Sequence, residues 1–223
     1  MNIEIKSISW KQAFSNKSVT FAFVAGFALI IATLSVLPSF FDVIESRNGV
    51  VMNDIVLQML PPINLSIPIF VFIWGTALIM IFRSFQNPYT LILFVWCFLF
   101  LTLSRMITIS LVPLNPPKNL ILLKDPLSNQ FYHGPFITKD LFYSGHTSTM
   151  FLMFLCLKNK IEKTIALCSS IIIGIMVLIQ HVHYTIDVMF APIGAFLVYK
   201  LARMVVDKAF RKFSMKWAKT QDS

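Results

Sequence analysis

Charged residues are scarce in this chain. Asp, Glu, Lys and Arg make up 13% of its 223 residues, whereas 57% are hydrophobic and 22 are phenylalanine. A water-soluble domain of this length cannot hide so much apolar surface in its core, so a soluble globular fold is excluded and the bilayer is the expected solvent. Cysteine is nearly absent. Cys97, Cys156 and Cys168 all lie inside apolar runs, which excludes a disulfide framework or a cysteine metal cluster and makes them small core hydrophobes. Acidic residues are outnumbered, 10 against 19 basic ones, for a net charge of +9. No basic, aromatic-interleaved soluble module accompanies that charge, so nucleic acid is not an expected partner. Lys and Arg instead cluster beside the apolar segments, where they orient a chain in the membrane and meet anionic headgroups. Internal repeats and low-complexity segments are also lacking.

Six apolar stretches are present, near residues 19–39, 66–82, 89–112, 142–157, 164–180 and 184–205. Most approach the roughly 20 residues that a spanning helix needs. They predict an all-α polytopic membrane protein, a bundle of six transmembrane helices over residues 19–205, flanked by an N-terminal segment 1–18 and a basic tail 206–223. The first stretch exceeds the apolar core of a signal peptide, about 7 to 15 residues, and no small-x-small cleavage site follows, so it is expected to be a retained anchor. The join between the fifth and sixth stretches, "LIQHVHYTID", contains neither Gly nor Pro to make a turn. Lys6, Lys11 and Lys17, then Arg83, then Lys158, Lys160 and Lys163, and finally the tail lysines and arginines all fall on one side of a six-span topology. The positive-inside tendency therefore predicts that both termini are cytoplasmic. A long Pro-rich connection on the opposite side carries Tyr132, His133 and Gly134, candidates for a lid. In the tail, Phe210, Phe213 and Trp217 recur at near-helical spacing among basic residues, the pattern of an interfacial helix or of a solvated end carrying the orientation signal.

The polar residues of the spans gather at the opposite face. In that topology Arg105 lies near the exit of the third span, and Ser144, Gly145 and His146 open the fourth. His181 and His183 close the fifth, and Tyr184, Thr185 and Asp187 open the sixth. Each ionisable group inside a membrane costs about 3 kcal/mol or more unless paired or hydrated, so several at one depth predict a shared polar cavity. His183 and Asp187 are four residues apart, which puts both on one helix face. A carboxylate there fixes one imidazole tautomer and leaves the other ring nitrogen free to attack or to take a proton. His181, two residues from His183, points nearly the opposite way on a continuous helix and reads as a supporting or structural residue. In "YSGHT", Ser144 is placed to cap a helix and Gly145 to admit a close approach, and a helix N-terminus favours an anion such as phosphate. A bound phosphate would favour protonated His146, a general acid, and Arg105 offers a permanent positive fork matched to phosphate oxygens. Pro192, one turn past Asp187, predicts a kink.

"SGHT" and "HVHYTIDV", with "RMIT" upstream of the Pro-rich connection and a weaker echo in "LPSFFD", resemble the sphingomyelin synthase-related branch of the type 2 phosphatidic acid phosphatase superfamily. The likeness runs from about Leu101 to Ala191. It implies a lipid phosphotransferase with His183 as nucleophile forming a phosphohistidine, Asp187 orienting it, and His146 protonating the departing oxygen. Arg105, Asp140, Tyr143, Ser144 and Gly145 would bind substrate. A phosphoalcohol headgroup, of phosphocholine or phosphoethanolamine type, would pass from a glycerophospholipid to ceramide or a similar lipid alcohol. No metal and no cofactor are implied. The wider phosphatase family has an arginine shortly before its second histidine, and "GIMVLIQ" has none. That absence favours the synthase-like branch, whereas Ser39 stands where the synthases tend to carry an acid.

Four rival readings stay open at this stage, one of them a catalytically inert lipid-binding relative. A hydrolase of the same superfamily would pass the headgroup to water. A zinc enzyme would use His146, His181, His183 and Asp187 as ligands. A transporter would line a path with its intramembrane His, Asp and Arg, but the span middles are almost wholly apolar. In the favoured reading the active site is extracytoplasmic, periplasmic in a bacterium or luminal in a eukaryotic organelle.

Overall fold

A computed structural model describes the backbone of residues 8–123 and 136–221, and the side chains up to Arg211. Tyr132, His133 and Gly134, and the side chains of Phe213 and Trp217, lie outside the described residues. Eight helices occur among the described residues: α1 (Trp10–Phe14), α2 (Lys17–Ser46), α3 (Ile55–Met59), α4 (Ser66–Gln86), α5 (Pro88–Leu111), α6 (Gly145–Cys156), α7 (Lys160–Ile179) and α8 (Thr185–Gln221). The only β pairing among them is an isolated parallel bridge between Val50 and Leu114.

The protein is all-α, as expected, and a helix falls in each of the six predicted apolar stretches, five of them long enough to span. α2, α4, α5, α7 and α8 are each long and apolar enough to cross a membrane. α6 differs. Its 12 residues rise about 18 Å, short of a hydrocarbon core of about 30 Å. It packs against α4, α5, α7 and α8 and so forms the centre of the bundle. Lipid-facing positions such as Phe21, Ile67, Phe85 and Met204 stay exposed on the outer helices.

Short polar side chains start the helices. Asn16 Oδ1 accepts the Ser18 N–H at 2.9 Å, Asn87 Oδ1 accepts those of Tyr89 and Thr90 at 3.0 and 3.2 Å, and Pro88 follows at the first turn of α5. Each satisfies donors that the helix itself leaves open. α1 was not expected. It opens with a capping box between Ser9 and Gln12, and Trp10 Nε1 donates to the Phe85 carbonyl at 2.7 Å, which ties it to the end of α4. α8 stays one helix through Pro192 and continues to Gln221, so the tail prolongs the last span. Phe210 is buried on α8, its ring 5.2 Å from that of Tyr89.

Candidate active site

The turn between α7 and α8 places the first half of the site. α7 closes with the Val182 N–H donating to the Val177 carbonyl and the His181 N–H donating to the Leu178 carbonyl, both at 2.9 Å. This is a Schellman motif. Its left-handed residue is His181, at φ 57°, where glycine is the usual choice. Tertiary contacts hold it there: His181 Nδ1 lies 2.9 Å from the Lys118 carbonyl oxygen and Nε2 lies 3.1 Å from that of Leu60. A turn therefore forms where no Gly or Pro marks one.

His183 emerges from that turn just before α8. Asp187, in the first turn of α8, accepts the Tyr184 N–H on Oδ2 at 3.1 Å, half of a capping box. The same oxygen lies 3.4 Å from His183 Nδ1. The side chains are 2% and 0% exposed. The i, i+4 pair expected from spacing is thus realised, and Nε2 of His183 is the ring nitrogen turned away from the carboxylate. Asp187 Oδ1 is buried without a hydrogen-bond partner among the described residues.

α6 brings the second half. Ser144 caps it, accepting the Thr147 N–H on Oγ at 3.4 Å, and its own N–H donates to the Asp187 carbonyl at 3.0 Å. That bond sets the N-termini of α6 and α8 side by side, and both favour negative charge. His146, in the first turn of α6, lies with its ring centroid 6.4 Å from that of His183. Gly145 admits the close approach foreseen for it, and the group that approaches is Arg105. A Cβ at Gly145 would lie 2.7 Å from Arg105 Cζ.

α5 grips the chain ahead of α6. Arg105 Nε donates to the Tyr143 carbonyl at 2.9 Å, and Nη2 donates to Asp140 Oδ1 at 2.6 Å. The Thr108 hydroxyl donates to the Phe142 carbonyl at 2.8 Å, and the hydroxyls of Ser104 and Tyr143 share a 2.8 Å hydrogen bond. The Tyr143 ring fills the space beside Gly194, where a Cβ would lie 2.5 Å from Cζ.

A cavity of about 330 Å³ opens beside these residues. Arg105, Asp140, Gly145, His146 and Thr149 line its polar end, and Leu34, Phe40 and Phe41 of α2 contribute to an apolar wall. Tyr143 and Ser144, expected to bind substrate, are buried outside the cavity lining, as are His183 and Asp187. Of the three residues expected to be catalytic, only His146 lines the cavity. The four-ligand metal set is not assembled, because His181 is engaged by two backbone carbonyls. Among the described residues, no group of three or more His, Cys, Asp or Glu side chains is arranged to hold a metal ion.

Residues outside the catalytic motifs support this arrangement. Asp54 Oδ2 accepts the Thr185 N–H at 2.6 Å, and Oδ1 accepts the Thr185 hydroxyl at 2.9 Å and the N–H groups of Val56 and Leu57 at 3.0 and 3.2 Å. One carboxylate thus starts both α3 and α8. Partial burial alone would raise the Asp54 carboxyl. The hydrogen bonds from Thr185, Leu57 and Val56 outweigh it and hold the group below its ordinary value of 3.8. A short polar residue before the run "IVLQM" is a readable cap signal, but its second partner lies 131 residues away.

Neither the curated proteins nor the solved structures include a match to this chain. Residues 139–204 match the family described as PAP2 superfamily C-terminal. The matched segment holds α6, α7, His146, His183 and Asp187. Over that segment the chain is similar to the type 2 phosphatidic acid phosphatase superfamily, which supports a lipid phosphatase or phosphotransferase function without distinguishing a branch.

Proposed function

We propose that this protein is a lipid phosphotransferase that moves a phosphoalcohol headgroup from a glycerophospholipid to ceramide or a similar lipid alcohol through a phosphohistidine. The observation that carries the reading is the meeting of two histidines, one in the first turn of α6 and one in the turn before α8, with ring centroids 6.4 Å apart, Asp187 behind one and Arg105 beside the other. Asp187 Oδ2 faces His183 Nδ1, which leaves Nε2 to attack phosphorus. As the N–P bond forms, the P–O bond to the diacylglycerol oxygen breaks, and His146 gives that oxygen its proton. Arg105 and the N-terminus of α6 balance the charge on the phosphoryl oxygens. In the second half the acceptor hydroxyl loses its proton to His146, its oxygen attacks phosphorus, and His183 departs neutral.

The apolar wall suits the chains of a lipid, and the polar end, lined by Arg105, Asp140 and His146, suits a charged headgroup. The polar groups all occur where α5 and α7 end and α6 and α8 begin, at the end of the bundle opposite Arg83 and Lys158. This supports an extracytoplasmic site with both termini cytoplasmic.

Purified protein incubated with fluorescent ceramide, fluorescent diacylglycerol and mixed phospholipids tests the reading, with products identified by mass spectrometry. New ceramide or diacylglycerol phosphoesters are expected. Free phosphoalcohol or free phosphate as the sole product would replace transfer by hydrolysis. Near-normal turnover by His183→Ala of every lipid that the parent accepts would overturn both.

A further inference from the structure

The C-terminal turn of α2 carries a carboxylate with an unusual load. The backbone N–H groups of Thr138 and Lys139 both donate to Glu45 Oε1 at 2.6 Å, and the Thr138 hydroxyl donates to Oε2 at 2.9 Å. Lys139 Nζ closes the arrangement by donating to the carbonyls of Glu45 and Arg47 at 2.8 and 2.5 Å. Arg47 in turn donates from Nη1 to the Ser110 carbonyl at 3.2 Å and from Nη2 to that of Ile109, at the end of the helix that carries Arg105. One helix turn therefore holds both strips of chain that supply the Arg105–Asp140 pair.

The consequence is specific because Asp140 is the next residue after Lys139. Its carboxylate takes Arg105 Nη2 at 2.6 Å, and the same guanidinium lies against Gly145, beside His146. A planar fork recognises phosphate only when its plane is fixed. Among the described residues, the Tyr143 carbonyl and Asp140 are what fix the plane of Arg105. The second depends on where residues 138 and 139 are held.

We propose that Glu45 is a positioning residue for the phosphate clamp, setting Asp140 against Arg105 through its grip on Thr138 and Lys139. The inference rests on the functional reading above and adds to it a residue on α2, 93 residues from the segment it positions. Glu45 touches no substrate. Its effect passes through Arg105, and so it should disappear when the Arg105 fork is already lost.

Lipid turnover by the full-length protein in nanodiscs tests this in a double-mutant cycle. Glu45→Ala is expected to lower kcat/KM by about tenfold, mainly through KM, as expected for loss of one charge-fixing contact. Glu45→Gln keeps an oxygen for the two N–H groups and is expected to stay within about threefold of the parent. In an Arg105→Lys background, Glu45→Ala should add less than about twofold, whereas a merely structural loss would multiply in full. If Glu45→Ala does not fold, Glu45→Asp serves in its place. It keeps the charge but is one methylene too short to hold both N–H groups, and a severalfold loss is expected. Unchanged kinetics in Glu45→Ala or Glu45→Asp, or a full multiplicative loss in the Arg105→Lys background, would overturn the proposal. An active parent with an inactive His183→Ala and unaffected Glu45 variants sinks this inference alone. A parent that turns over no lipid sinks the functional reading, and this inference with it.

Discussion

Replacing Asp187 by asparagine keeps the side-chain shape and removes one charge, so it isolates what the carboxylate does for His183. The Nδ1–Oδ2 contact of 3.4 Å is longer than the roughly 2.8 Å of a strong charge-assisted bond. Its ground-state contribution is correspondingly small. In the proposed mechanism the carboxylate matters when positive charge builds on the imidazole as the N–P bond forms. At about 4 Å and an effective dielectric near 20, a full charge pair interacts by about 4 kcal/mol. Half-developed charge gives about 2 kcal/mol, or roughly thirtyfold in rate. Asp187 Oδ2 also accepts the Tyr184 N–H, and this donor keeps the asparagine oxygen on that side, so the imidazole tautomer is retained. A loss of about 10⁴, the size seen when a catalytic histidine takes the wrong tautomer, is therefore not expected. Steady-state headgroup transfer in nanodiscs should show kcat falling about thirtyfold with KM little changed. A loss under about threefold would refute the electrostatic role, and a loss near 10⁴ would refute the tautomer argument.

Two further perturbations probe the supports of the site. Gly145→Ala puts a methyl group 2.7 Å from Arg105 Cζ; the guanidinium must shift, lowering kcat/KM by at least about tenfold and stability by about 1–3 kcal/mol. Kinetics and melting temperature near those of the parent would contradict that close approach. Because the Asp54 carboxyl is held below 3.8, its contribution to stability is present above that pH and is lost as pH falls through the lowered folded-state value. Asp54→Asn should lower the melting temperature at neutral pH and flatten its decline below pH 3.8; parallel acid limbs for parent and variant would exclude a folded-state role for this charge.

The helices and half of the site were readable because their signals are local. Apolar runs mark the spans, Ser144 announces the start of α6, and the four-residue spacing of His183 and Asp187 announces their pairing. What escaped depends on contacts between distant segments. The α7–α8 turn is made by a histidine in a left-handed conformation, held by carbonyls of Lys118 and Leu60, and propensity alone would not assign that role to histidine. The run 142–157 has apolar residues at both ends around the polar stretch 144–149, and Arg105 and Thr108 bind its first carbonyls from α5, so the helix proper starts only at Gly145. Tyr143 was expected at the substrate because it adjoins the motif; the gap left by Gly194 draws its ring into the packing instead. Glu45 and Asp54 lie in loop-flanking polar stretches with no periodic signal, and their partners are 93 and 131 residues away.

The covalent step is the most direct test. Protein mixed rapidly with a phospholipid carrying an isotope-labelled headgroup, denatured in alkali and digested, can be searched by mass spectrometry for a phosphoalcohol adduct. The adduct is expected on the peptide containing His183, should disappear when a lipid alcohol acceptor is added, and should be absent from His183→Ala. Product formation with no adduct at any time point, or an adduct on a different residue, would contradict the His183 phosphohistidine.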